Sequence, residues 1–256
     1  MNHSLPEGFS AKLSSDLVWQ HLARLDSTNT YLLAADQPAG QLVSADVQTH
    51  GRGRRQQQWV DEGESALFSL AFAFPQGTDI GAWPVQVALT LAHSLNALMV
   101  HFGRDSRVKI KWPNDLYLER QGQWGKCAGI LVETHVGREG KVVSGIGLNL
   151  APIHKAVSED YAPAFIDLPL AKKDLIAVLA NQLWTAWQGF VNWPVVSPAD
   201  YRQVDYLADA DLIATDLHSG EQQRGTGIGI NDRGQLLLAQ STGVQVLTSQ
   251  QRIRFA

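Results

Sequence analysis

The sequence predicts an α+β fold followed by a smaller β-rich unit, and three observations carry that prediction. Ser65 to Phe74 alternates, with Ala66, Phe68, Leu70, Phe72 and Phe74 on one face, which is the period of a strand. Val85, Leu89, Ala92, Leu95 and Met99 recur at three- and four-residue spacing, the period of a helix that buries one face. Five short strand-like runs, separated by turn residues, then end the chain.

Taken in order, residues 17–25 read as a first strand that stops at Asp26-Ser27-Thr28-Asn29, a cluster of helix N-caps. A short helix through Tyr31, Leu32 and Leu33 should follow and end before Pro38 and Gly40. Gln41 to Val47 reads as the next strand. Beyond the helix, Val108, Ile110 and Trp112 alternate with Lys109 and Lys111 until Pro113 stops the ladder. Lys126 to Thr134 and Lys141 to Leu150 form two more strands around Gly137-Arg138-Glu139-Gly140, a hairpin by its spacing. In the second of these, Val142, Ser144, Ile146, Leu148 and Leu150 share one face. Gly145, Gly147 and Asn149 share the other, which is nearly bare. Glycine weakens a strand unless something must approach its backbone closely.

Ala151 to Leu170 is irregular, with Pro152, Pro163 and Pro169, and Leu175, Leu179, Leu183, Ala186 and Phe190 then form a helical stripe. After Pro194 and Pro198 come the short strands Asp211–Leu217, Arg224–Asn231, Gln235–Gln240, Gly243–Thr248 and Gln251–Phe255, which suggest a small barrel. The expected boundary lies near residue 208, giving units 1–207 and 208–256.

Composition narrows the function. The 256 residues are 45% hydrophobic and 18% charged with a net charge of −4, the balance of a soluble chain with a real core and no general affinity for nucleic acid. A single cysteine, Cys127, excludes an internal disulfide, fits a reducing cytoplasm, and reads as a buried small hydrophobe. The start of the chain shows no secretory signal, and Val85 to Val100 is broken by Gln86, Thr90, His93, Ser94 and Asn96, so no membrane span is expected. The eight histidines lack metal-ligand spacing, and neither a phosphate-binding P-loop nor a nucleophile elbow is present.

The chemistry concentrates elsewhere. Gly51-Arg52-Gly53-Arg54-Arg55 lies between two strands, with Trp59 behind it. Glycines let main-chain N–H groups turn towards a ligand, and crowded guanidiniums repel unless an anion gathers them. Alone, such a cluster would read as a solvated basic loop. Lys111-Trp112-Pro113-Asn114-Asp115 offers a lysine able to reach a cleft at the strand end, and a carboxylate for a metal or a ribose hydroxyl. By itself it is an ordinary turn. Lys126, beside Cys127, would alone read as a surface lysine.

Together with Leu25-Asp26-Ser27-Thr28-Asn29, Gln48, Lys126-Cys127-Ala128-Gly129-Ile130-Leu131-Val132-Glu133 and Gly145-Ile146-Gly147-Leu148-Asn149, these motifs occur in the order and spacing of biotin–protein ligases. The sequence resembles that family from about residue 17 to its C-terminus. The resemblance implies a mixed sheet with flanking helices, similar to class II aminoacyl-tRNA synthetases, followed by an SH3-like barrel. It implies synthesis of biotinyl-5'-AMP from biotin and ATP with Mg²⁺, then transfer of biotin to a lysine of a biotin carboxyl carrier protein. The biotin site would comprise Ser27, Thr28, Asn29, Gln48, Gly51, Arg52, Gly53, Arg54, Lys126, Gly129, Gly145 and Gly147, with Arg54 and Lys126 catalytic. The nucleotide site would comprise Arg55, Trp59, Lys111, Asn114, Asp115, Asn149 and Arg254. Relatives often carry a further Arg where this chain has Gln57. About 25 residues precede Ser27, too few for the winged helix of repressor forms, so a single-function ligase with no specific DNA partner is expected. A homodimer is left open. A lipoate–protein ligase and a biotin-sensing regulator with little catalysis are the alternatives. The first would lack the Gly-Arg-Gly-Arg loop with its Trp, and the second would need a DNA-reading segment.

Overall fold

The computed structural model describes residues 4–34, 37–59, 64–136, 140–153 and 162–256. In chain order the first elements are β1 (Val18–Leu25), α1 (Thr28–Leu33), β2 (Gln41–Gln48), β3 (Ser65–Phe74) and α2 (Trp83–His101). They are followed by β4 (Arg107–Lys111), β5 (Asp115–Arg120), β6 (Gln123–Val136), β7 (Gly140–Asn149), α3 (Lys172–Phe190) and α4 (Pro198–Gln203). The last five strands are β8 (Asp211–Asp216), β9 (Gln222–Ile230), β10 (Leu236–Gln240), β11 (Gly243–Leu247) and β12 (Gln251–Phe255).

The first seven strands make one mixed sheet in the order β1-β2-β3-β7-β6-β5-β4, with β1 and β2 parallel and every other neighbour antiparallel. Alternation decides what each face does. Phe68, Phe72, Ile146 and Leu148 point to one side, where α2 and α3 bury them. Trp83 sits in this core 4.8 Å from Trp187 and 5.4 Å from Phe72, and its Nε1 donates to Ser144 Oγ at 2.8 Å, so a large buried indole is both packed and satisfied. On the opposite face α1 packs on β2, β3 and β7 through Leu32, Val43, Ala71 and Val143, and its Asn29 reaches β6. The remainder of that face, where Gly129 and Gly147 lie, is where a cleft can form.

Several elements differ from the sequence expectation. Asp115 was expected in a turn, but it opens β5, an unexpected strand whose Leu116 and Leu118 are buried between β4 and β6. Its run follows the Pro-Asn turn signal directly and carries Asp115, Glu119 and Arg120, which hid it beforehand. β6 begins at Gln123, ahead of the expected Lys126. Helix α4 was also unexpected. Only short strands were expected after Pro198, whereas it occupies the first helical position behind Ser197, whose side chain accepts the Asp200 N–H at 3.2 Å. The hairpin turn at residues 137–139 lies outside the described residues, though Val136 pairs with Gly140 across it.

The C-terminal strands form an open five-stranded sheet, β11-β10-β9-β8-β12, rather than the expected closed barrel. β11 and β12 are its two edges, and Val244 and Val246 on β11 remain 59% and 43% exposed, with no second layer over them. This sheet shares the main core: Leu207, Leu212, Ile230, Leu236 and Leu238 pack in the same cluster as α2 and α3, and Trp112 Nε1 donates to the Gly234 carbonyl at 2.8 Å. Cys127 is fully buried, as read, and burial pushes its thiol up to about 12. No helix among the described residues is long and apolar enough to cross a membrane.

Between α4 and β8 the chain runs beside β4, with Ile110 N donating to the Val204 carbonyl and Tyr206 N to the Ile110 carbonyl. Asp205, only 1% exposed, accepts the Leu207 N–H at 2.8 Å, and burial raises its carboxyl to about 6. Its ordinary value is 3.8, so between roughly pH 4 and pH 6 the fold keeps a proton that the unfolded chain has lost. Stability should therefore fall as pH rises through that window and level off above it. Asp205→Asn keeps the acceptor for Leu207 and removes the titration. Urea unfolding from pH 4 to pH 7 should show a smaller decline for the variant than for the parent chain.

Candidate functional site

The cleft lies on the open face of the large sheet and has a volume of about 170 Å³. One end is a buried row of neutral polar groups. Ser27 caps α1, so the helix starts with Thr28 and Asn29 directed under the cleft, and all three are nearly inaccessible. The Thr28 main-chain N–H donates to Gln48 Oε1 at 2.7 Å. The hydroxyl of Ser69, on β3, lies 2.6 Å from both Thr28 Oγ1 and Asn29 Oδ1. Asn29 Nδ2 donates to the Leu131 carbonyl at 3.1 Å and to Glu133 Oε2 at 2.9 Å.

The floor is made by the absence of side chains. Gly129 and Gly147 are opposite each other on β6 and β7, and the Trp59 ring rests on both. A Cβ on Gly147 would lie 2.5 Å from Trp59 Cε2, and one on Gly129 2.7 Å from Cζ3. The Gly145 Cα leaves the same allowance to Asn29, whose side chain would collide with any Cβ there. The bare strand face seen in the sequence is therefore a seat for Asn29 and Trp59.

The other end carries charge. Lys126 Nζ is 2.8 Å from Asp115 Oδ1 and 5.9 Å from the centre of the Trp59 ring. Arg54 donates to Asn114 Oδ1 and to the Ser249 carbonyl, both at 3.0 Å. Arg55 donates to the carbonyls of Ser249 and Gln251 at 2.8 and 3.2 Å, which holds its backbone at φ 57°, the left-handed region. Burial lowers the Arg54 guanidinium below its ordinary value, as does Arg55, while Asp115 opposes them. Arg55 is lowered by burial and by Arg252. Arg52, nearer the polar row, pairs with Glu133 at 2.6 Å.

Of the residues expected from the sequence, Ser27, Thr28, Asn29, Gln48, Arg52, Gly53, Arg54, Arg55, Trp59, Asn114, Asp115, Lys126, Gly129, Gly145, Gly147 and Asn149 all line this one cleft. Three do not. Gly51 lies behind the wall, its carbonyl accepting the Trp59 N–H. Lys111 does not reach the cleft: β4 is the sheet's outermost strand, and the ammonium lies over Tyr117, 3.4 Å from its hydroxyl. Arg254 is on β12 in the other sheet. Lys126 and Asp115, expected on separate ligands, are an ion pair. Sequence reasoning missed Ser69, a serine in the middle of an apolar strand, and left Glu133 without a role.

Chemically, the cleft offers neutral hydrogen-bonding groups at one end and a cationic surface at the other, with Asp115 the only carboxylate among the described lining residues. Two buried polar atoms of the lining, Trp59 Nε1 and Asn149 Oδ1, have no hydrogen-bond partner among the described residues. Such atoms are costly to leave unmatched unless a ligand completes them. The arrangement suits a molecule with a neutral polar head and an anionic tail.

The profile of the biotin/lipoate A/B protein ligase family matches residues 21–149. A biotin–[acetyl-CoA-carboxylase] ligase of Paracoccus denitrificans is 32% identical over 241 residues, covering 88% of this chain and 96% of its own. The bifunctional ligase/repressor BirA of Escherichia coli is 35% identical over 132 residues, half of this chain, which spans only 39% of that relative. A biotin protein ligase from Aquifex aeolicus, solved in complex with biotin and ATP, superposes with a TM-score of 0.71 over 95% of this chain and 100% of its own, at 20% identity, and so shares the fold.

The Trp59 seat is open to test. Gly147→Ala should push the indole off the sheet and into solvent. The emission lost on adding Trp59→Phe isolates the signal of that one ring. It should shift to longer wavelength in the Gly147→Ala background, and an unshifted component would mean the ring does not depend on the bare strand.

Proposed function

The chain belongs to the biotin/lipoate A/B protein ligase family, and from that membership we propose that it activates biotin with ATP and attaches it to a lysine of a biotin carboxyl carrier protein. In the first step a biotin carboxylate oxygen bonds to the α-phosphorus of ATP and pyrophosphate leaves. In the second the lysine amine attacks the acyl carbon of the mixed anhydride, AMP departs, and the amine loses a proton. The single observation that carries the reading is the polarity of the cleft, with a buried neutral row at one end and cations at the other, joined by a glycine floor. The row matches a cyclic urea, which donates and accepts hydrogen bonds. The dithiolane of lipoate can do neither well, and this favours biotin within the family.

Each residue's contribution follows from its position. Carboxylate and triphosphate repel, and Lys126, Arg54 and Arg55 offset that repulsion from fixed positions, where they need no reorganisation as charge builds up. The Asp115 carboxylate keeps the Lys126 ammonium in place at 2.8 Å. Trp59 and the Arg loop cover the anhydride and keep water from it. Magnesium enters with ATP as part of that substrate. Among the described residues no group of three or more His, Cys, Asp or Glu could hold an ion by itself. Asp115 and Asn114 are the oxygen ligands nearest the nucleotide side.

The decisive experiment incubates the chain with a carrier domain, MgATP and either biotin or lipoate, and locates the modified lysine by mass spectrometry. Biotin-dependent modification of one carrier lysine is expected, and modification by lipoate alone would overturn the choice of substrate. Lys126→Gln removes a charge-assisted contact to the biotin carboxylate and should weaken biotin binding by roughly ten- to a hundredfold. Its ligand-free melting temperature should move little, because Asp115 still lies in the field of Arg54. Arg54→Gly cuts the loop from Asn114 and leaves Arg55 alone on the Ser249 carbonyl, and should let the adenylate escape to label lysines of bystander proteins. Bystander labelling equal to that of the parent chain would show that the loop does not retain the intermediate.

A further inference from the structure

Glu133 touches both the buried polar row and the arginine loop. Its Oε1 pairs with Arg52 Nη2 at 2.6 Å and its Oε2 accepts from Asn29 Nδ2 at 2.9 Å. We propose that Glu133 is a positioning residue and sets ligand specificity: its carboxylate fixes the hydrogen-bond direction of the row and ties the row to the loop. The specificity part rests on the ligase reading, whereas the tether does not.

The direction follows from which atoms can only accept. Glu133 Oε2 and the Leu131 carbonyl have no proton to give, so the Asn29 NH₂ must face them. Asn29 Oδ1 then faces Ser69 Oγ at 2.6 Å, and two oxygens that close need a proton between them. Only Ser69 can supply it. Ser69 lies equally close to Thr28 Oγ1, and its one proton is already used, so the single Thr28 proton is committed to Ser69 at 2.6 Å, in competition with Gln48 Oε1 at 3.2 Å. The chain of donation runs Thr28 to Ser69 to Asn29 to Glu133, with Arg52 donating from the far side. Thr28, which lines the cleft, is left with lone pairs and no spare proton. A ligand group placed against it must donate. The N–H of a cyclic urea does so, and a dithiolane sulfur does not.

A carboxylate is needed for this arrangement because both of its neighbours donate. Glutamine at 133 could accept from Arg52 or from Asn29, but its own NH₂ would then face the other donor. Aspartate would be too short to span both. The salt link is also partly shielded, with the Glu133 side chain 21% exposed and that of Arg52 46%.

The test uses the full chain with Glu133→Gln, and Glu133→Asp as the second variant should the first fold poorly. Without ligand, trypsin should cut after Arg52, Arg54 or Arg55 several-fold faster in either variant than in the parent chain. With MgATP and carrier, KM for biotin should rise about tenfold or more while kcat changes less, and the preference for biotin over lipoate should narrow. Adding Arg52→Gln to Glu133→Gln should cost less than it does in the parent chain, since the two share one interaction. Parent-like cleavage would overturn the tether. A parent-like KM and preference, or additive effects of the two substitutions, would overturn the positioning role. If the parent chain transfers no biotin, the ligase reading fails, while faster cleavage in Glu133→Gln would still support the tether.

Discussion

The contact between the Trp59 ring and the paired glycines of β6 and β7 sets the form of the whole site. A flat aromatic can lie on a sheet only where the strands present no Cβ, and Gly129 and Gly147 provide that surface opposite each other. Seating the indole there fixes the end of the arginine loop, because Trp59 N donates to the Gly51 carbonyl and closes the loop on itself. The loop in turn brings Arg52 to β6 and Arg54 to the start of β5. Without the bare strand face, the loop would lose this seat and depend on the Arg52–Glu133 pair and the carbonyls of Ser249 and Gln251.

Much of this was legible in the sequence, for identifiable reasons. Alternation in Ser65–Phe74 and the helical stripe after Val85 are long, strongly periodic signals, and both elements lie where expected. Gly145 and Gly147 announced a close approach because glycine has little other use on a buried strand. What was not legible depends on tertiary context. β5 opens inside a turn signal and is held as a strand by β4 and β6 on either side of it. Ser69 looks like a single polar residue in an apolar run until α1 crosses over it. Lys111 was credited with a reach that depends on strand order, and strand order is not written in local pattern: β4 proves to be outermost.

Among the attachments of the open C-terminal sheet to the rest of the molecule, two differ in kind. One is apolar, through Leu207, Leu212 and Leu236 in the shared core. The other is polar and lies at the cleft, where the guanidiniums of Arg54 and Arg55 meet the turn between β11 and β12. The core fixes where the sheet sits, and the polar link fixes how the loop meets it. A displacement of that turn would be felt at the cationic end of the cleft before it disturbed any packing.

That polar link has a consequence for how freely the sequence can drift. Both arginines hold main-chain carbonyls, those of Ser249 and Gln251, and take nothing from the side chains there. A carbonyl is present whatever residue occupies position 249, so the loop's anchor is indifferent to the letter written at that point. Heredity can rewrite the turn without loosening the grip, provided the path of the backbone is kept. The constraint falls on shape, and two members of such a lineage could share the device while aligning poorly across the segment that provides it.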